Sequence, residues 1–239
     1  MGTASIGSFR LVNQVAFPVD LPPTKAGSGR FLLYLEGPRD REILKHWCRR
    51  AFPGLARAVD SSTILLGGRQ PARAVEHHRA LREEDPSACG ICILDRDGLP
   101  EARADFENTP GLTLFTWPRR HIESYLLVPS AIRRSLPRSR ETAGLERALA
   151  EVLPDVGDEE AFREMDAKRL LSGRGPVCQV AGHPLRPGRI ARNMLKAELH
   201  ADVMELLSGI REGFGLGDRK VLVVQKRVSA ASPCDLGPG

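Results

Sequence analysis

No stretch of the 239 residues approaches the roughly 18 continuous apolar side chains that span a bilayer, and no charged segment followed by an apolar run opens the chain. A membrane span and a secretory leader are therefore not expected, and a cytoplasmic protein is. Cysteine is scarce: five residues, Cys48, Cys89, Cys92, Cys178 and Cys234, odd in number and scattered, which excludes a disulfide framework and suits a reducing compartment. Cys89 and Cys92 have the two-residue gap of a zinc half-site, but no second pair or spaced histidine completes four ligands. No internal repeat is present.

What is there points to one domain with an appendage. The chain is 41% hydrophobic and 27% charged, enough to bury one sizeable core and a smaller helical annex. Lys and Arg outnumber Asp and Glu by 35 to 30, a mildly basic balance that favours polyanionic partners.

Residues 1–29 mix Gly, Ser and Pro with short apolar pieces and read as an arm and linker. Order begins near Phe31. The run Phe31 to Leu35 stops at Glu36-Gly37-Pro38, as a strand buried on both faces does, and Arg39 to Ala51 has apolar residues at helical spacing. The alternation repeats, with strands at 63–66, 90–94 and 112–117, a helix over 72–84 and a helical start at Ile122. Strand-helix-strand repetition predicts an α/β fold with a mainly parallel four-stranded sheet and helices on both faces. Further helices are expected near 143–153, 158–171 and 188–212. The last carries an apolar stripe (Leu195, Leu199, Val203, Leu206, Ile210) that packs on the domain or on a second copy. The expected organisation is an arm over 1–29, a catalytic domain over 30–175, a C-terminal helical segment over 176–220, and an edge strand or tail over 221–239.

In an open parallel sheet, ligands gather at the carboxyl ends of the strands. Glu36 sits at one such end, Asp95 and Asp97 at another. If the two strands are neighbours, three carboxylates converge, which is costly unless a cation offsets them. Hard divalent ions, Mg²⁺ or Mn²⁺, suit oxygen ligands. Asp40, four residues after Glu36, can point back toward the strand end, and Glu123 follows the fourth strand on the same side of the sheet. Five acids are then available for one or two ions, and two ions about 4 Å apart can activate water and clamp a phosphate. Taken singly, Glu36 and Asp40 also suit a helix N-terminus, and Asp-x-Asp before Gly98 suits a solvated turn. His77, His78 and His121 read as ordinary helix-surface histidines. Arg189, Arg192 and Lys196 share one face of the last helix, while Arg119, Arg120, Arg133 and Arg134 flank Glu123; such groups suit a groove that follows a nucleic-acid backbone.

The order of these motifs resembles the Toprim domain of topoisomerases, primases and OLD-family nucleases. The matching residues are Leu35-Glu36-Gly37 with Asp40, then Ile93-Leu94-Asp95-Arg96-Asp97. The segment Arg120-His121-Ile122-Glu123-Ser124-Tyr125-Leu126-Leu127 looks like the stretch of the OLD branch that supplies a further acid, and Lys168-Arg169-Leu170-Leu171 is similar to its downstream lysine segment. The resemblance covers about residues 30–175. It implies metal ligands at Glu36, Asp40, Asp95, Asp97 and Glu123, catalytic roles for Glu36, Asp95, Asp97 and Lys168, and an endonuclease acting on DNA, with RNA as a second polyanion of the same kind. OLD nucleases usually carry an ATPase ahead of this domain, whereas residues 1–29 hold no Gly-x-x-x-x-Gly-Lys-Ser/Thr loop. The resemblance thus implies a lone enzyme or an ABC-type ATPase on another chain, in defence or repair, and the C-terminal helix suggests a homodimer. With only Tyr34 and Tyr125, and no zinc module, the topoisomerase and primase branches fit less well.

Two other readings compete. Leu94-Asp95-Arg96-Asp97-Gly98 also resembles the nucleophile strand of haloacid-dehalogenase phosphatases, with Asp95 attacking and Asp97 moving protons, although that motif normally occupies a first strand and leaves Glu36 idle. The third reading is a non-catalytic module that binds nucleic acid.

Overall fold

The computed structural model describes residues 30–96, 106–137, 144–155 and 157–216. Asp97, the arm over 1–29 and the tail over 221–239 lie outside the described residues. Four strands, β1 (Phe31–Leu35), β2 (Thr63–Leu65), β3 (Cys89–Leu94) and β4 (Leu112–Thr116), form one parallel sheet in the order β2-β1-β3-β4. This is the expected α/β architecture. Successive side chains leave opposite faces of each strand. Leu33, Leu35, Ile91 and Ile93 enter the main core, while Leu32, Tyr34, Cys92 and Leu94 meet a smaller one on the other face.

Helix α1 (Pro38–Ala51) covers the main face with Ile43, Leu44, Trp47, Cys48 and Ala51, followed by α2 (Leu55–Ser61). Helix α3 (Pro71–Glu84) covers the other face through Ala74 and Val75. Trp47 ties the layers together: its indole N–H donates to Met194 Sδ at 3.2 Å, and its ring meets Trp117 edge-on at 6.2 Å between centroids. From β1 the chain crosses to β2 on one side, then to β3 and β4 on the other. The sheet therefore reverses its winding between β1 and β3, where a crevice opens at the carboxyl ends of the strands.

Beyond β4 come a 3₁₀ turn (Ile122–Leu126), α4 (Pro129–Ser135), α5 (Leu145–Ala150), α6 (Glu159–Glu164), α7 (Ala167–Leu170), α8 (Pro176–Ala181), α9 (Pro187–Asn193), a second 3₁₀ turn (Lys196–Glu198) and α10 (Ala201–Gly213). Two of the long helices expected from periodicity are broken by new caps. The Asp166 carboxylate accepts from Arg169 N at 3.0 Å and starts α7, dividing 158–171. Extended backbone at Met194 and Leu199, with His200 Nδ1 accepting from Asp202 N at 3.2 Å, divides 188–212. Helices α2, α4 and α8 are too short for the periodicity to announce.

Residues 176–216 share the main core with the sheet. Val203, Leu206 and Ile210 of α10 are buried there, and Phe214 meets Phe31 edge-on at 4.9 Å. The stripe expected to face the domain or a second copy is thus spent on the domain, although Leu195 is 48% exposed. No described helix is long and apolar enough to cross a membrane.

Candidate functional site

Glu36, the first residue past β1, turns its carboxylate across to β3, where Oε1 accepts from Asp95 N at 2.8 Å. Asp95 is 5% exposed. Its Oδ1 accepts from Ile122 N at 2.8 Å, and its Oδ2 is 2.5 Å from Lys168 Nζ, a residue 73 positions later. The same aspartate thus fixes the turn that begins at Ile122 and meets the lysine carried by α7.

Pro38 at the first position of α1 presets the helical backbone. Asp40, in that first turn, accepts from Gly37 N through Oδ2 at 2.9 Å. It caps the helix and also faces the other acids. Burial, followed by the charge of Asp95 and those of Glu123 and Glu36, pushes Asp40 up to about 7 against the Gly37 hydrogen bond. Glu36 is raised as well, chiefly by burial, with the Asp95 N–H, Lys168 and Arg69 pulling the other way. Glu123 is 1% exposed; Oε1 accepts from Arg39 Nη1 at 3.3 Å, and buried Oε2 has no hydrogen-bond partner among the described residues.

The fold therefore brings Glu36, Asp40, Asp95, Glu123 and Lys168 into one crevice from five separate elements. The four acids among them offer carboxylate oxygens, a donor set for a hard divalent cation. An orphaned buried carboxylate oxygen and an aspartate pushed toward neutrality are what such a set shows when its negative charge is incompletely offset. Arg39 pairs with Glu123, Lys168 with Asp95, and backbone N–H groups donate to Glu36, Asp40 and Asp95. Among the described residues, the group whose ligand atoms all lie within 4.8 Å of one another is a different one, Glu159, His200 and Asp202. That trio could hold an ion by geometry, but its carboxylates are already engaged. Glu159 takes Arg119 in a two-pronged pair at 2.9 and 2.7 Å, and Asp202 accepts from Tyr125 Oη at 2.6 Å.

The basic residues divide. Arg120 and Lys168 line an open groove of about 920 Å³ with Arg96 and Arg169, beside Asp95. Arg96 there is paired with Glu164 at 2.5 Å. Arg119, expected on a nucleic-acid surface, is instead 8% exposed. Besides Glu159, its guanidinium binds Ser124 O at 3.0 Å and stacks on Tyr125 and Phe162, so it serves the fold. The Arg192 carbonyl accepts from Arg50 Nη2 at 3.3 Å, in the last turn of α1, whereas Asp40 lies in its first turn. Lys196 sits over the Phe52 ring at 5.6 Å, just past the same far end of α1. Arg189 lies three residues before Arg192 on α9.

Two residues of the crevice escaped the motif reading. Arg39 follows Glu36-Gly37-Pro38 and pairs with Glu123 from 84 positions away. Arg69 follows Gly67-Gly68 at the carboxyl end of β2, and its Nη1 donates to Asp95 O. The only signal for either is an arginine close behind a predicted strand end.

No family model matches this sequence, and no curated protein matches it. Two solved structures are similar. The C-terminal region of the Xanthomonas campestris pv. campestris OLD protein, phased with platinum, has 17% identity over 79% of this chain and 95% of that one, with a TM-score of 0.43. The same region phased with iodine has 18% identity over 79% and 97%, with a TM-score of 0.42.

Proposed function

We propose that this protein is an endonuclease that hydrolyses DNA phosphodiester bonds with one or two Mg²⁺ or Mn²⁺ ions held by Glu36, Asp40, Asp95 and Glu123, and by Asp97 beyond the described residues. The observation that carries the reading is the convergence of four acids at the β1–β3 crevice, with Glu123 Oε2 buried and without a partner among the described residues. A bound divalent ion supplies a Lewis acid for the phosphate and lowers the pKa of its water. The chain's own groups do the rest. The Asp95 N–H and Gly37 N–H orient the Glu36 and Asp40 carboxylates. Lys168, which meets Asp95 and lines the groove, would neutralise charge that develops on the phosphate. Arg120 and Arg169, in a groove also lined by Glu164 and Asp166, would give cations that follow a backbone without reading bases. A separately encoded ATPase partner and a role in defence or repair belong to this proposal through the motif resemblance.

The test incubates the protein with supercoiled plasmid and Mg²⁺ or Mn²⁺, beside Asp95→Ala. Wild type should nick, and the variant should lose about a hundredfold or more of that rate. Equal nicking by both, or none by either in any metal with and without an added ATPase, sinks the proposal. Release of phosphate from small phosphomonoesters without nicking would favour the phosphatase reading.

A further inference from the structure

We propose that Arg69 is a second phosphate-binding group of this site, holding an oxygen of the nucleic-acid backbone beside the carboxylates. The assignment rests on the phosphodiester reading above and adds to it a residue from the loop after β2.

The loop after β2 is stitched onto the end of β1. Leu66 N donates to Leu35 O at 2.8 Å, and Gly68 N donates to Glu36 O at 2.8 Å. Gly67 and Gly68 reach this path at φ of 78° and 120°, which a residue with a Cβ adopts only under strain. The turn delivers Arg69 over the end of β1. From there its side chain interacts with the Glu36 carboxylate and donates through Nη1 to the carbonyl of Asp95, just past β3, two strands away from its own. Lys168 meets the carboxylate of that same aspartate. Two cations therefore converge on Asp95, one at its carboxylate and one at its carbonyl.

A guanidinium carries five N–H donors in a planar fork that matches phosphate oxygens. Among the described residues, Asp95 O is the acceptor that Arg69 meets, so most of the fork is left for a ligand. The half-buried position beside Glu36 limits competition from water. A tie between the β2 loop and β3 would explain the one hydrogen bond, but it needs no ionised group beside the Glu36 carboxylate.

The test compares wild type, Arg69→Ala and Arg69→Lys in the full chain. A fluorescein-labelled DNA duplex is titrated by anisotropy in Ca²⁺ from 50 to 200 mM salt, beside thermal melting of each protein. Arg69→Ala should weaken binding about tenfold and lower the slope of log K against log salt by about one, while Arg69→Lys keeps most of that slope. An unchanged slope in Arg69→Ala overturns the assignment. Equal weakening in both variants that tracks a shared fall in melting temperature also overturns it, because the residue is then a structural tie. If wild type binds no DNA and nicks none, the phosphodiester reading itself fails, and the Arg69 assignment falls with it.

Discussion

Replacing Asp40 with asparagine should stabilise the metal-free protein at pH 8 and leave it unchanged at pH 4. In the folded chain, burial and the neighbouring carboxylates raise Asp40 from 3.8 to about 7. The unfolded chain keeps the ordinary value. Between about pH 4 and 7 the folded state thus holds a proton that the unfolded state has released, and stability falls as pH rises by about 1.4 kcal/mol per pH unit. The contribution is fully present below about pH 4 and lost above about pH 7. Across that window the limit is about 4 kcal/mol, and partial contact of Asp40 with solvent reduces it to about 2–3 kcal/mol. Asparagine removes the charge and keeps an oxygen to accept the Gly37 N–H, so the cap at the start of α1 survives. Urea unfolding in EDTA at pH 4, 6 and 8 reads the effect as the difference between variant and wild type. That difference also cancels the contribution of His78, which burial pushes down to about 4 and which works in the opposite direction, losing stability as pH falls below about 6.5. A variant no more stable than wild type at pH 8, or one with the same gain at pH 4 and pH 8, would refute the view that the four acids form one electrostatically strained site.

Two further outcomes test the frame that holds the site. Arg119→Ala should cost about 3 kcal/mol in urea unfolding, because Glu159 and the Ser124 carbonyl lose their buried partner, and the salt dependence of DNA binding should not change. A lower salt slope with normal stability would return Arg119 to the nucleic-acid surface. Gly111→Ala should lower the melting temperature by several degrees: φ is 77°, and an added Cβ would lie 2.8 Å from Ala88 O and 2.7 Å from Arg82 Nη1. A melting temperature equal to that of wild type would show that the turn before β4 relaxes freely.

The four strands and the two crossover helices α1 and α3 were legible because each is a local pattern, an apolar run or a helical stripe ended by Gly or Pro. Beyond Pro129 the helical character was legible but the boundaries were not, since these depend on side-chain caps such as Asp166 and His200, whose geometry a periodicity cannot express. The expectation for Arg119 failed for a related reason. An arginine beside another arginine reads as surface, and only the partners that surround it, Glu159, Tyr125 and Phe162, make it a buried anchor.

From the sequence alone came the acids at strand ends and the parallel sheet that makes strand ends meaningful, because both follow from residue types within a few positions of one another. Only the tertiary structure could decide that β1 and β3 are neighbours, and so that Glu36 reaches Asp95 at all. It also brought Glu123, Lys168 and Arg69 to the same crevice from 84, 73 and 26 positions away from their partners Arg39, Asp95 and Asp95. Strand order is set by which faces bury together, a property of the whole core that no single segment carries.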